Sequence, residues 1–243
     1  MKSKNDKREK IIVALDSDNL AETLAIVEEL SQLRISWFKV GKQLFTLYGP
    51  KVIDEIRKKS KATDLKIFLD LKYHDIPNTV ANAVKVAIHH GVNMLTVHTL
   101  GGAKMLEAAA NIVAKESSSQ VPLLIGVTIL TSMSESDLHE VGLKGKLTDH
   151  SLRLAKLAKS SGIDGAVCGP PEIKLLRDNI VEPFLLVTPG IRPSFGPKND
   201  QARFLTPKEA LELGSNYLVI GRPILAAPDR SIAAVKIIEE LNS

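Results

Sequence analysis

The sequence predicts an α/β chain folded as a single-domain (β/α)8 barrel of the TIM type. Eight short β-branched apolar runs alternate with longer amphipathic stretches over 243 residues, which is the arithmetic of strand then helix repeated eight times. No long Gly/Ser linker, low-complexity tract or break in composition divides the chain, so one core is expected and not several small modules. The residues at the ends of the apolar runs are unusually polar, and a barrel of this kind carries its reactive groups at the C-terminal ends of its strands. An open doubly wound sheet would suit the same alternation. It lacks its usual cofactor fingerprint here, because no GxGxxG follows the first apolar run.

In order along the chain, strands are expected at residues 11–15, 37–40, 66–71, 94–98, 123–128, 165–168, 184–188 and 217–220, each a short apolar run rich in β-branched residues. Helices are expected between them at 20–33, 44–58, 79–90, 103–115, 151–161, 171–178 and 207–213, where apolar positions recur with helical spacing. A last helix, 229–241, is capped by Asp229, with Ile232, Val235, Ile238 and Leu241 spaced for one buried stripe. Two connections are longer than they need to be: residues 131–150, with room for a short helix, and 190–201, with two Gly and two Pro among polar residues. Loops of this kind serve either as lids or as surface insertions.

Composition bounds the function. With 44% hydrophobic and 25% charged residues the chain reads as an ordinary globular protein. Its longest apolar stretch, VPLLIGVTIL at 121–130, falls short of the ~18 residues that suggest a membrane span. One cysteine, Cys168, closes no intrachain disulfide, and no apolar core follows the basic N-terminus, so the cytoplasm is the expected compartment. The net charge of +4 is concentrated in residues 1–10, MKSKNDKREK, where five basic face two acidic residues. The remainder carries 27 basic against 26 acidic side chains. Residues 1–10 are therefore read as a basic, poorly ordered lead to a catalytic barrel at 11–243, and not as a nucleic-acid-binding arm, since only 4% of residues are aromatic.

The densest chemical signal is FLDLKYHDIPNT at 68–79. Strand side chains alternate, so Asp70 and Lys72 are expected on one face, with Asp75 following in a turn that Pro77 helps to fix. A lysine between two carboxylates is favoured as its ammonium, which suits proton donation and argues against a Schiff-base aldolase. A buried ion-pair network would suit a lone Asp-x-Lys equally well; the further Asp75 weakens that reading. A second signal is Gly221-Arg222-Pro223 after the eighth strand. In such barrels phosphate binds between the loops after strands seven and eight, where Gly221 permits close backbone approach and Arg222 offers a forked cation. Gln201 stands at the far end of the seventh loop, able to close over the same group. His74 and His98 lack H-x-H or E-x-x-H spacing and are read as hydrogen-bonded structural residues, so no metal site is expected. Cys168 is read as packing.

Together DLKYHDIPNT, ALDSDN at 14–19, FKVGKQLF at 38–45, LTSM at 130–133, TPGIRP at 188–193 and VIGRPI at 219–224 resemble the bacterial orotidine 5'-phosphate decarboxylase family, in the family's order over nearly the whole chain. The resemblance implies cofactor-free decarboxylation of orotidine 5'-monophosphate to uridine 5'-monophosphate, in a homodimer. It implies that Lys72 protonates C6, that Asp70 stands beside the substrate carboxylate, and that Lys39 links this array to the ribose. Asp75 would be presented to the neighbouring subunit's site, with Ile76 and Thr79 also contacting across the dimer. Asp16 would hold a ribose hydroxyl, Thr131 and Pro189 would lie near the pyrimidine, and Arg192, Gln201, Gly221 and Arg222 would belong to the mobile loop and phosphate grip. Gly169 follows Cys168 where a small hydroxyl residue is expected, so that strand end receives no role. A related metal-using sugar-phosphate barrel and a non-catalytic nucleotide binder are the alternatives.

Overall fold

A computed structural model describes residues 6–116, 121–195 and 205–243. The chain runs β1 (Ile11–Ala14), α1 (Leu20–Gln32), β2 (Trp37–Gly41), α2 (Lys42–Tyr48), α3 (Lys51–Lys59), β3 (Lys66–Tyr73), α4 (Pro77–His89), β4 (Met94–His98) and α5 (Gly102–Lys115). It continues with β5 (Leu123–Val127), α6 (Glu135–Glu140), α7 (Leu147–Ser160), β6 (Gly165–Val167), α8 (Ile173–Asn179), β7 (Leu185–Pro189), α9 (Pro207–Glu212), β8 (Tyr217–Ile220), α10 (Arg222–Leu225) and α11 (Arg230–Asn242). The eight strands close into a barrel in sequence order, and each pair, β8 with β1 included, is parallel. This is the (β/α)8 architecture that the alternation predicts.

Because each strand is covered on both faces, β1 and β2 are buried throughout. Their outward residues, with those of β3 and β4, pack beneath the helices: Val13, Phe38, Ile67 and Leu95 share one cluster with Ile26, Ile53 and Val84. The inward residues Ile12, Trp37, Phe68, Met94, Ile125 and Val187 form a separate plug inside the barrel. Each such side chain contributes ~1.5–3 kcal/mol on burial. Two residues further along the same inward rows the character changes, from Trp37 to Lys39, from Phe68 to Asp70 and from Met94 to Thr96.

The opposite mouth is closed by main-chain capping. The side chains of the residues before β4, β6 and β8 each accept a backbone N–H from the preceding strand: Asn93 from Ile67 (2.9 Å), Asp164 from Leu124 (2.8 Å) and Asn216 from Leu186 (2.8 Å). Arg177 bonds the carbonyls of Gly214 and Phe184 and the side chain of Asn216 at the same end.

Several elements differ from expectation. The helix expected over 44–58 is two, α2 and α3, broken where Gly49 takes φ +62° before Pro50. The long fifth connection holds α6, closed by a capping box between Ser134 and Asp137, and α7 begins four residues early at Leu147. In α11 Asp229 caps as expected, accepting the Ile232 N–H. The expected stripe is not the buried face, however: Ile232 and Val235 are exposed, while Ala233, Ala234, Ile237, Ile238 and Leu241 are buried. Successive steps of three residues fall short of a full turn by about 60° each, so the three steps from Ile232 to Leu241 cross to the far side of the helix. The second half of the basic lead is built into the fold. Lys7–Lys10 form a 3-10 turn, Lys7 Nζ donates to the Leu241 carbonyl at 2.6 Å, and Arg8 Nη1 donates to the Leu33 carbonyl at 3.3 Å.

Candidate active site

At the C-terminal mouth three strands bring four charges together. Lys39 of β2 is only 8% exposed; its Nζ lies 3.2 Å from Asp16 Oδ1 and 3.6 Å from Asp70 Oδ2. Lys72 Nζ lies 2.8 Å from Asp70 Oδ1. Burial alone would raise the Asp70 carboxyl, but Lys39 and Lys72, with hydrogen bonds from Lys72 and Thr96, hold it below the usual carboxylate range. The site therefore presents an ionised carboxylate fixed between two ammonium groups, able to oppose an anionic substituent on one side and to donate a proton on the other.

The Asp70–Lys72 pair does not arise from plain strand alternation. Pairing between β3 and β4 shifts between Leu69 and Tyr73, and Lys72 takes φ +54°, a left-handed conformation uncommon outside glycine. A bulge thus aims the lysine, and its ammonium returns over Asp70. Bulges re-aim side chains in this way next to active sites.

Asp75, Ile76 and Thr79 stand at the start of α4 and are all exposed. Asp75 Oδ1 accepts the Ile76 N–H at 2.6 Å, and within the chain, among the described residues, its carboxylate enters no ion pair. Ile76 is 65% exposed. Thr79 lies within α4, which begins at Pro77, two residues before the expected start.

Around the mouth, Gly221 follows β8 and lies against β1: a Cβ there would lie 3.4 Å from Ala14 Cβ and 3.7 Å from Asp16 Oδ2. Arg222 opens the short helix α10 and lines a cleft of about 390 Å³ together with Asp16, Asp18, Gln43 and Leu225. Pro189 is the last residue of β7. Arg192 follows, its N–H donating to the Leu205 carbonyl at 3.1 Å and so joining the two ends of the seventh loop. Gln201 lies outside the described residues. Thr131 faces the end of β6, its Cγ2 3.5 Å from where a Cβ on Gly169 would stand.

His74 and His98 stack at 5.2 Å with an interplanar angle of 20°. Burial first, then His74, Lys42 and Lys72, push His98 down to about 4, so it is neutral at pH 7. Burial pushes the Cys168 thiol up to about 12, which leaves it unreactive. Among the described residues no three His, Cys, Asp or Glu side chains converge as a metal site would require.

Two residues of the site escape a reading of charges alone. Thr96, fully buried in β4, donates to Asp70 Oδ1 at 3.0 Å and accepts the Lys72 N–H at 2.9 Å. Gly41 ends β2, and a Cβ on it would come within 3.1 Å of Lys39 Nζ and 3.3 Å of Asp16 Oδ1. Both sit on inward rows of their strands, next to or opposite a charged residue, and that register is the signal that finds them.

The model of the "Orotidine 5'-phosphate decarboxylase / HUMPS family" matches residues 9–237. The chain is 48% identical over 236 residues to orotidine 5'-phosphate decarboxylase of Vibrio cholerae serotype O1, covering 96% of this chain and 97% of that protein. It is 46% identical over 240 residues to the protein of the same name from Trichlorobacter lovleyi, covering 98% of each. The crystal structure of orotidine 5'-phosphate decarboxylase from Lactobacillus acidophilus superposes with a TM-score of 0.84 at 41% identity, covering 97% of this chain and 100% of that one. With the match running from the first strand to the last helix, the chain belongs to the orotidine 5'-phosphate decarboxylase / HUMPS family.

Proposed function

We propose that this protein is a carboxy-lyase that converts orotidine 5'-monophosphate to uridine 5'-monophosphate and CO2, in pyrimidine nucleotide synthesis, with Lys72 as the proton donor and no metal or organic cofactor. The observation that carries the reading is the ionised Asp70 held between Lys39 and Lys72 inside the barrel mouth. When the C6–carboxylate bond breaks, its electron pair stays on C6 in the plane of the ring, where the π system cannot absorb it. Stabilisation must then come from a positioned cation. Lys72 Nζ supplies both that charge and the proton, forming the C6–H bond, and the neutral amine recovers a proton from water. Asp70 faces the departing carboxylate and fixes the ammonium. A pure nucleotide binder would have no use for a carboxylate facing an anionic ligand.

The rest of the cleft divides between ribose, base and phosphate. Asp16 with Lys39 takes the ribose hydroxyls, Thr131 and Pro189 border the pyrimidine, and Arg192, Gln201, Gly221 and Arg222 grip the phosphate. The phosphate is remote from the bond that breaks, so its binding energy acts by organising the site. The active unit is a homodimer in which Asp75, with Ile76 and Thr79, completes the site of the partner. The exposure of Ile76 at the start of α4, and the lack of an ion pair for Asp75 among the described residues, support that arrangement. The reading takes a small-molecule substrate in the cytoplasm and gives the basic lead no nucleic acid or membrane to bind; no described helix is long and apolar enough to cross a membrane.

The test is loss of orotate absorbance with EDTA-treated protein and orotidine 5'-monophosphate, beside Lys72→Ala. Turnover by the wild type alone, with Lys72→Ala still binding uridine 5'-monophosphate, is expected. Turnover by neither, in folded protein, refutes the reaction; near-full activity in Lys72→Ala removes the lysine from its role.

A further inference from the structure

We infer that Thr96 is a positioning residue for this decarboxylation, locking the main chain of Lys72 to the carboxylate that its own side chain pairs with. The inference rests on the decarboxylase reading and adds a residue from the neighbouring strand to the machinery.

The geometry is that of a gap filled by one hydroxyl. β3 and β4 pair as Phe68 with Met94 and Leu69 with Leu95, and pairing resumes at Tyr73 with Val97. Three residues of β3, Asp70, Leu71 and Lys72, therefore stand opposite the single residue Thr96. Within this bulge Lys72 is left-handed, at φ +54°, a conformation that is unfavourable for a residue with a Cβ and persists only where the surroundings over-determine it. Thr96 Oγ1 accepts the Lys72 N–H at 2.9 Å and so takes up a main-chain donor inside the bulge. The same oxygen donates its proton to Asp70 Oδ1 at 3.0 Å.

The direction of both bonds is settled by chemistry. A backbone N–H can only donate, an ionised carboxylate can only accept, and a hydroxyl has one proton to give. Asp70 Oδ1 in turn receives Lys72 Nζ at 2.8 Å, which closes a ring from the Lys72 main chain through Thr96 and Asp70 back to the Lys72 ammonium. Thr96 is fully buried, so water cannot readily stand in for its hydroxyl. Without it the Lys72 N–H loses its partner, the bulge is free to relax towards negative φ, and the ammonium at the far end of the side chain moves. The proton transfer is sensitive to such a movement, whereas Gly221 and Arg222 of the phosphate grip, after β8 and at the start of α10, share no residue with the bulge between β3 and β4.

The experiment compares Thr96→Val, which keeps the shape and removes the hydroxyl, with Thr96→Ser, which keeps the hydroxyl. Steady-state decarboxylation and uridine 5'-monophosphate affinity are measured on each. Thr96→Val is expected to lose on the order of 10²-fold in kcat, the scale of a ~1 Å misplacement, with KM and product affinity changed by less than about threefold. Thr96→Ser is expected to recover most of kcat. A Thr96→Val variant within about twofold of wild-type kcat overturns the inference, as do equal losses in folded Thr96→Val and Thr96→Ser, which would transfer the role to the methyl group. If Thr96→Val does not fold, Thr96→Ala removes the same hydroxyl without the added methyl and is judged by the same comparison. A wild-type protein inactive on orotidine 5'-monophosphate would instead overturn the decarboxylase reading, so the two failures are distinct.

Discussion

Gly41→Ala adds one carbon at the most crowded point of the charged mouth. The backbone there, φ −93° and ψ −177°, is open to any residue, so the change brings no backbone strain. The new Cβ would stand 3.1 Å from Lys39 Nζ and 3.3 Å from Asp16 Oδ1, both inside the ~3.5–4.0 Å of a relaxed non-bonded contact. Lys39 is boxed in, with a side chain 9% exposed and Asp70 on its other side, whereas the Asp16 side chain is 61% exposed. Asp16 is therefore the group that yields, and its 3.2 Å contact with Lys39 opens. The stability balance is small. Removing a glycine gains ~0.4–1 kcal/mol through the unfolded state, and an ion pair with one exposed partner is worth ~0–1 kcal/mol. The net is within ~1 kcal/mol, or a Tm change below ~4 °C for a chain of this size. Activity does not balance in the same way, because the displaced Asp16 and the Lys39 it pairs with are both assigned to the ribose. A shift of several tenths of an ångström should cost ~10–100-fold in kcat/KM, that is ~1.4–2.8 kcal/mol of transition-state stabilisation. Thermal melting by circular dichroism and the orotate absorbance assay measure the two quantities on one preparation. Unchanged kcat/KM would refute the crowding argument. A fall in Tm of more than ~10 °C would refute the claim that the strain is released into solvent through Asp16.

Arg222→Ala should weaken orotidine 5'-monophosphate far more than the phosphate-free nucleoside, with affinities compared by calorimetry; equal losses on both would remove Arg222 from the phosphate grip. Mixing Lys72→Ala with Asp75→Asn protomers should restore activity above that of either alone, through the dimer site that receives both intact residues. No recovery in heterodimers verified by mass would count against a site shared between chains.

Much of this fold is legible because a barrel strand, covered on both faces, must be apolar nearly throughout. Any charge within or just after such a run then stands out, which is how Asp16, Lys39, Asp70 and Lys72 announce themselves. What stays hidden is of two kinds. Uncharged residues that act by register, such as Thr96, or by lacking a side chain, such as Gly41, look like ordinary members of the runs MLTVH and WFKVG. Irregular backbone is hidden as well. Period-two arithmetic brings Asp70 and Lys72 to one face, as the structure does, but the actual path is a bulge with a left-handed lysine. The break at Gly49-Pro50 is the converse case. The dipeptide is plain in the sequence, and Pro inside a helical pattern ends the helix just before it, yet the apolar spacing on either side reads as one continuous helix.

The two mouths of the barrel treat strain differently, and the difference separates stability from chemistry. Among the described residues, Arg34 and Lys72 are the non-glycine residues with positive φ, at +65° and +54°. Arg34 lies in the exposed turn between α1 and β2, at the mouth where Asn93, Asp164 and Asn216 cap strand ends. A glycine there would meet the same turn with less strain, so nothing in the fold depends on the arginine's conformational cost. Lys72 has no such substitute. A glycine would relax the backbone and remove the ammonium that the Asp70 carboxylate faces at 2.8 Å. On the proposed mechanism the strained residue is also the proton donor, which gives the fold a reason to tolerate the strain at that mouth. Its neighbours Thr96 and Asp70 hold the main chain and the side chain of Lys72 at once, and so fix the ammonium in the place that the proposed proton transfer to C6 requires.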